Sequence, residues 1–535
     1  MEMAPQPILA GKRASASDAK RAYFEGDFDR CLEICADIRV GSIATASEIA
    51  LLRARAFLRT GRPHEAQTAI ADSLETHTTI DAALTAQMLV GHARIRQDDA
   101  DTGIAILLDA ASRADEAHFA IRSEIALCTA LGYWAKRELD VAESYLAAVD
   151  PRSDIIHARA LELQAWCHMA RHDSQRAAHA FQATLMRLDD CLASDRAITA
   201  TAISTLSILG AELYDEEIAR FAEVRAGRID WSSGLSTQRY LTLAHLALFR
   251  EFAGDTLAAY QFAAQAREAA PTAAFEALGW ALSSMIARNA GEPFTAIVYA
   301  SRARTIVAGL NPRELIGEER FALLGAAETC AHFDLTTASE LFARYWGLAP
   351  VDAMLALSGD PRLAGEETFI SGVIAAAKGE RERARTCYGK AFEIFRGLGY
   401  ARRAIIAGHA LLGLTCDGDT DVEGIRAYMQ THLATTSNFI TAALRRSGDP
   451  TELLERHPIV ATLPRSQREI VALLCAGKTN KEIATARNVS EQTIKNVLSK
   501  HVFRAFGVAS RSALISACLR EVTAAHGASS GTPVR

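Results

Sequence analysis

Proline is scarce in this chain, at 13 of 535 residues, and aromatic side chains make up only 7%. Ala, Leu, Arg and Glu are dense instead, a balance that favours helix over sheet, and almost no β-structure is expected. The 10 cysteines stand singly apart from Cys31 and Cys35, with no paired CxxC motifs, which argues against a disulfide framework and against zinc fingers. Cys31 and Cys35 lie four apart on one helix face and are read as small buried residues rather than as a two-thiolate metal site. The charge-free stretch Ala197–Ala211 is shorter than the roughly 18 residues a bilayer span needs and is diluted by Thr and Ser. The opening MEMAPQPILAGKR has neither the basic flank nor the apolar centre of a secretory signal. A cytoplasmic protein without membrane contact is expected.

Catalytic and cofactor motifs are missing as well. There is no HExxH and no GxGxxG. Gly477-Lys478-Thr479 ends like a phosphate-binding loop, but Ala472 stands where the first Gly is needed and the preceding segment reads as helix. Gly527-Ala528-Ser529-Ser530-Gly531 matches a nucleophile-elbow string in a Gly/Ser-rich tail with no sheet to strain it. Asp417, Asp419 and Asp421 alternate like a calcium loop, yet Val422 and Tyr428 occupy the positions that need Gly and Glu. Asn488-Val489-Ser490 is a glycosylation sequon that matters only on a secretory route. No enzyme activity, cofactor or metal site is expected.

What the chain has is a body and a module of opposite charge. It is 49% hydrophobic and 23% charged, in the ordinary globular range, with a net charge of −6. Between Leu463 and Arg520 ten Lys and Arg face three acids, a local charge of +7, so the remainder sums to −13. A compact basic module suits a polyanion partner.

The body repeats. Apolar helical runs are broken at Gly26, Gly61, Asp98, Arg137, His172, Tyr214, Gly254, Gly291, Phe333 and Gly379, and a second run follows each break. Five positions after each break stands a small residue: Cys31, Ala66, Gly103, Ala142, Ala177, Ala219, Ala259, Ala296, Ala338 or Ala384. Seven positions before it stands another: Ala19, Ala54, Gly91, Ala130, Ala165, Ser207, Ala247, Ser284, Ala326 or Gly372. Two antiparallel helices can approach to about 8–10 Å only where the side chains at their crossing are minimal, so ten helix pairs are expected. This pattern resembles the tetratricopeptide repeat over about Lys12 to Ala434, with longer spacing and few of the usual prolines. The resemblance implies an α-solenoid that receives a protein, a peptide or a small effector; the alternative is an interaction scaffold.

The basic module opens after turn clusters at Ser447–Pro450 and at His457-Pro458. A first helix runs from about Ser466, with Ile470, Val471, Leu473 and Leu474 facing a core, and stops at Gly477. Asn480 can cap a short second helix, Val489 is expected between helices, and Ser490 can cap a third. That third helix would turn Ile494, Val497, Leu498 and Val502 inward and present Gln492, Lys495, Asn496, Ser499 and Lys500, followed by Arg504, outward. Gly507 would end it, and Ser510 would start a fourth helix carrying Leu514, Ile515 and Leu519.

Leu463, Arg468-Glu469, Gly477, Asn480-Lys481-Glu482-Ile483-Ala484, Val489-Ser490, Thr493-Ile494-Lys495, Gly507-Val508 and Ser510-Arg511 together resemble the LuxR-type helix-turn-helix of bacterial regulators. The resemblance implies that Asn480, Lys481 and Thr493 hold phosphates of double-stranded DNA, while Lys495, Asn496 and Ser499 face bases. A single helix reads too few bases for specificity, so a homodimer on paired half-sites is expected. Pro464, Ser466 and Val497 depart from the usual Thr, Arg and His. Lys495 to Gly507 is one residue longer than the family spacing, which predicts a bulge or a change of phase late in the recognition helix. The expected organisation is all-α: a free N-terminus (1–11), the repeat array (12–446), a linker (447–458), a four-helix DNA-binding domain (459–523) and a tail (524–535).

Overall fold

The computed structural model describes residues 15–38, 42–71, 79–115, 117–189, 191, 195–231, 235–290, 292–315, 317–346, 361–414, 421–432, 458–475, 480–508 and 514. Among them there is helix and turn but no strand. The helices come as hairpins: α1 (Ala16–Phe24) with α2 (Phe28–Asp37), α3 (Ile43–Arg59) with α4 (Pro63–Ala71), and α5 (Ile80–Arg96) with α6 (Ala100–Ser112). Next are α7 (Phe119–Ala135) with α8 (Leu139–Ala147), α9 (Asp154–Ala170) with α10 (Ser174–Asp189), and α11 (Arg196–Leu213) with α12 (Glu216–Ala226). Then follow α13 (Ser236–Phe252) with α14 (Thr256–Glu268), α15 (Ala273–Asn289) with α16 (Pro293–Ala308), and α17 (Phe321–Cys330) with α18 (Leu335–Trp346). A tenth hairpin joins Pro361–Ala377 to Arg381–Gly397. The helices Ala401–Leu412 and Asp421–His432 pack together after it, a pair that the ten-unit register does not include.

The hairpin turns show why the break residues recur. Gly26, Gly61, Asp98, Arg137, His172, Tyr214, Gly254 and Gly379 all have positive φ, the left-handed conformation that closes a helix C-terminus. The amide of the next residue bonds back five residues, as from Asp99 to Arg94 O at 3.0 Å and from Asp173 to His168 O at 2.9 Å. Phe333 closes its turn without positive φ, because Asp334 bonds back only four residues, to Cys330 O at 2.6 Å. The residue after the break also starts the second helix. Asp27, Asp99, Asp173, Asp215, Asp255 and Asp334 each accept the amide three residues on, which satisfies an otherwise orphaned donor.

All twenty small residues of the register are buried. A Cβ added at Gly103 would lie 2.7 Å from the Gly91 carbonyl oxygen, so these two register positions are where α5 and α6 touch. Ser284 uses the same closeness differently: its hydroxyl donates to the Ala296 carbonyl across the α15–α16 crossing at 2.8 Å. Cys31 and Cys35 are buried in the core of the first hairpins, as their spacing predicts.

By internal contacts the chain divides into two units, residues 1–210 with 215–242, and residues 211–214 with 243–535. In the first, Leu84, Met88, Leu107 and Ile125 anchor one core, and Ala142, Leu163 and Cys167 belong to the next. In the second, a core runs from Phe252 through Leu323, Ile370, Phe395 and Ile405 to Met429. A separate small core gathers Val460, Val471, Leu474, Ile483, Ile494, Leu498, Val502 and Leu514.

Candidate nucleic-acid interface

The small core carries the basic residues. A short helix, Pro458–Thr462, contributes Val460, and the helix Arg465–Cys475 contributes Ile470, Val471 and Leu474. The helix Asn480–Arg487 buries Ile483 and Ala484 and ends at Asn488, whose φ is +53. Asn is among the few L-residues that accept this conformation. The turn then bonds the Val489 amide back to Ala484 O at 3.0 Å. This geometry corrects the expectation for Val489, which stands 43% exposed on the outside of the turn while Ile483, Ala484 and Ile494 close the core beneath it. Ser490 caps the next helix as predicted, accepting the Thr493 amide at 3.1 Å, and its hydroxyl lies 2.8 Å from that of Thr493.

The third helix runs Glu491–Val497, continues through a π-helical turn at Leu498–Val502 and finishes with Phe503–Ala505, forming one rod. Within the π turn the Phe503 amide bonds to Leu498 O, five residues back, so one residue is inserted into the ladder. That is the change of phase the one-residue excess predicts. In an unbroken α-helix, at about 100° per residue, Val502 would sit about 80° off the line of Ile494; with one residue absorbed it returns to within about 20°. Val502 and Ile494 are indeed buried to 0% and 1% exposure. The same arithmetic moves Arg504 from about 80° to about 20° off the line of Asn496. The inserted residue therefore keeps the buried stripe buried and extends the polar stripe by a turn.

Gln492, Thr493, Lys495, Asn496, Ser499, Lys500 and Arg504 are all exposed. Lys481 is exposed on the preceding helix and Asn480 is half-buried at its first turn. Part of the stripe is held by its own neighbours: Lys495 pairs with Glu491 at 2.8 Å, and the Gln492 amide donates to Asn496 at 3.2 Å. The Ser499 hydroxyl donates to the Lys495 carbonyl at 2.8 Å. Glu469 engages Arg465 at 3.2 Å and also Arg487. Lys481, Lys500 and Arg504 make no ion pair with the described residues. Gly507 ends the rod with φ +64, as predicted, and Val508 bonds back to Phe503 O at 2.9 Å. Of the expected fourth helix, Leu514 is buried in the small core; Ser510, Ile515 and Leu519 lie outside the described residues, as do Gly477-Lys478-Thr479.

The first unit holds a second set of groups with unusual chemistry, which repeat spacing does not reveal. Arg55 reaches from α3 to pair with Glu124 on α7, and Arg59 pairs with Asp195 at 3.5 Å. Burial pushes the Glu124 carboxyl up, but Arg55 more than offsets this and its pKa ends below the usual value. His92 is pushed down to about 3 by burial, with Arg159 and Arg96 adding to the effect. Glu162 is pushed up to about 7, mainly by burial. Because the folded state favours neutral Glu162, this group's stabilisation is complete below its ordinary value of 4.5 and is lost as pH rises through about 7. Glu162→Gln is expected to flatten stability across that window, read from urea midpoints against pH; an unchanged slope would mean that the folded chain carries the carboxylate already ionised.

Residues 461–518 match the family model of the bacterial regulatory proteins of the LuxR family. No curated protein matches the chain. Several solved structures are similar at low identity, two of them as follows. The crystal structure of the APC/C hetero-tetramer Cut9-Hcn1 is 13% identical, with 80% of this chain and 91% of that one covered and a TM-score of 0.27. The structure of Naa15/Naa10 bound to HypK-THB is 12% identical, with 95% and 99% covered and a TM-score of 0.23. The architecture rests on the hairpins themselves. Among the described residues no group of His, Cys, Asp or Glu could hold a metal ion, and no helix is long and apolar enough to cross a membrane.

Proposed function

From a chain whose residues 461–518 form a LuxR-family regulatory domain, we propose a sequence-specific DNA-binding transcription regulator, working as a dimer in a bacterial cytoplasm. The observation that carries this reading is the rod on the small core, with Gln492, Lys495, Asn496, Ser499, Lys500 and Arg504 exposed along one stripe. A rod of about 15 residues is about 22 Å long and fits a major groove, where amides and cations meet base edges and phosphates. Lys495, Asn496 and Ser499 face bases; Asn480, Lys481 and Thr493 hold phosphates. The cations at Lys500 and Arg504 extend the contact along the groove. A single rod reads few bases, so two modules address half-sites about 34 Å apart. The helical repeats receive a protein, a peptide or a small effector, and the half-buried charges around Arg159 and Glu162 are the groups available to recognise one.

The test is a mobility-shift titration of the full chain against its selected site and against random duplex. Lys481→Ala is expected to weaken binding to both equally and to lower the salt slope by about one. Lys495→Ala is expected to cost about 1–3 kcal/mol on the selected site alone. Equal binding by the parent and both variants would remove the assignments. Binding to DNA without steep salt dependence would favour the scaffold reading, in which the terminal domain pairs with protein.

A further inference from the structure

One patch of the repeat array breaks the pattern of its neighbours. Three positions after the turn residue, the second helix of each hairpin starts its outward face. Eight hairpins place a polar residue there, such as Asp29, Asp101, Asp140, Glu217 or Glu382. The other two, consecutive in the chain, place Leu257 on α14 and Phe294 on α16, which are 70% and 85% exposed. One turn further along α16, Ile297 and Val298 are 40% and 58% exposed. The Tyr260 hydroxyl donates to the Glu292 carboxylate at 3.1 Å and ties α14 to the start of α16, so these side chains share one surface. No charged residue occurs from Thr256 to Ala266 or from Pro293 to Ser301, in a chain that is 23% charged. The exposed apolar area is on the order of 400 Å², within the range of about 300–600 Å² for the largest and often functional patch of a monomer.

We propose that this face, centred on Leu257 and Phe294, is the surface on which a second copy of the chain docks. The inference rests on the DNA-binding reading, which requires two recognition rods on one site. A twofold contact brings a patch against itself, so a charged patch would meet its own sign, whereas the centre of this one is uncharged and Glu292 at its edge is held by the Tyr260 hydroxyl. The apolar centre is about half of the ~800 Å² per partner that a stable dimer buries, and the polar rim has to supply the rest. Gln261, Gln265 and Ser301 are exposed around that centre and supply the rim.

The test is sedimentation equilibrium of the full-length chain at micromolar concentration, with DNA binding measured on the same samples. The parent is expected to have twice the mass of one 57.7 kDa chain. Phe294→Glu is expected to run as a single chain with unchanged helical circular dichroism, because the side chain it replaces is in water in the monomer. Met186→Glu, at an exposed site on α10, is the control and stays a dimer. A monomeric parent, or a Phe294→Glu variant that remains dimeric, overturns the proposal. The two readings fail separately: a parent that dimerises through this face but ignores DNA sinks the regulator and leaves the interface, while a monomer that binds its selected DNA does the reverse.

Discussion

Replacing Arg403 by methionine is expected to cost about 3–5 kcal/mol of stability, the range for removing one partner of a buried ion pair. Arg403 sits in the helix Ala401–Leu412 with its side chain 8% exposed. Its guanidinium engages both oxygens of Glu366 and lies 3.9 Å from Glu328. It also packs over the rings of Phe369 and Phe395, at 5.0 and 5.7 Å from their centroids. Methionine fills much of the volume but strands the Glu366 carboxylate in an apolar setting, while Glu328 keeps only the charge of Arg288. The double variant Arg403→Met with Glu366→Gln should recover part of the loss, since one stranded charge is removed with its partner. Urea unfolding followed by circular dichroism measures both. A loss under about 1 kcal/mol for the single variant would place the pair in water, where such contacts contribute little.

Arg402 and Arg403 also mark where the sequence stops being legible. Arg is rarely buried, and two in succession beside Ala404 and Ile405 look like a solvated corner of a helix. In the fold Arg402 pairs with Glu212 and Arg403 with Glu366, partners 190 and 37 residues away, which no local pattern encodes. The repeats were readable because their constraint is local: a left-handed turn residue with a small residue on each side recurs wherever two helices touch. The Asp that follows the turn carried an equally plain signal, since Asp27, Asp99, Asp173, Asp215, Asp255 and Asp334 all cap helices. In the small domain, Ser490 and Gly507 could be assigned because a cap and a stop are single-residue chemistry. Val489 could not, because its exposure depends on Asn488 adopting positive φ. Leu257 and Phe294 are intelligible only after the register identifies them as equivalent positions.

The largest effect on DNA binding is expected from removing three cations together, Lys495→Ala, Lys500→Ala and Arg504→Ala. All three are exposed, so the small core should be untouched. If Lys500 and Arg504 each neutralise one phosphate while Lys495 meets a base edge, the salt slope falls by about two and affinity for the selected site falls roughly 100- to 1,000-fold at low salt. Arg504 falls on the stripe because of the π turn, and a deletion tests that dependence. His501 is exposed inside the turn. Without it, Val502 lies seven residues after Ile494 and Arg504 seven after Asn496, so an ordinary α-helix places both within about 20° of those lines. The deletion variant should therefore keep its core and bind DNA within about threefold of the parent, with Arg504→Ala still costing affinity in that background. Loss of binding on deletion would show that the π turn itself, rather than the phase it restores, shapes the surface. Full affinity in the triple variant would show that the stripe does not face nucleic acid at all.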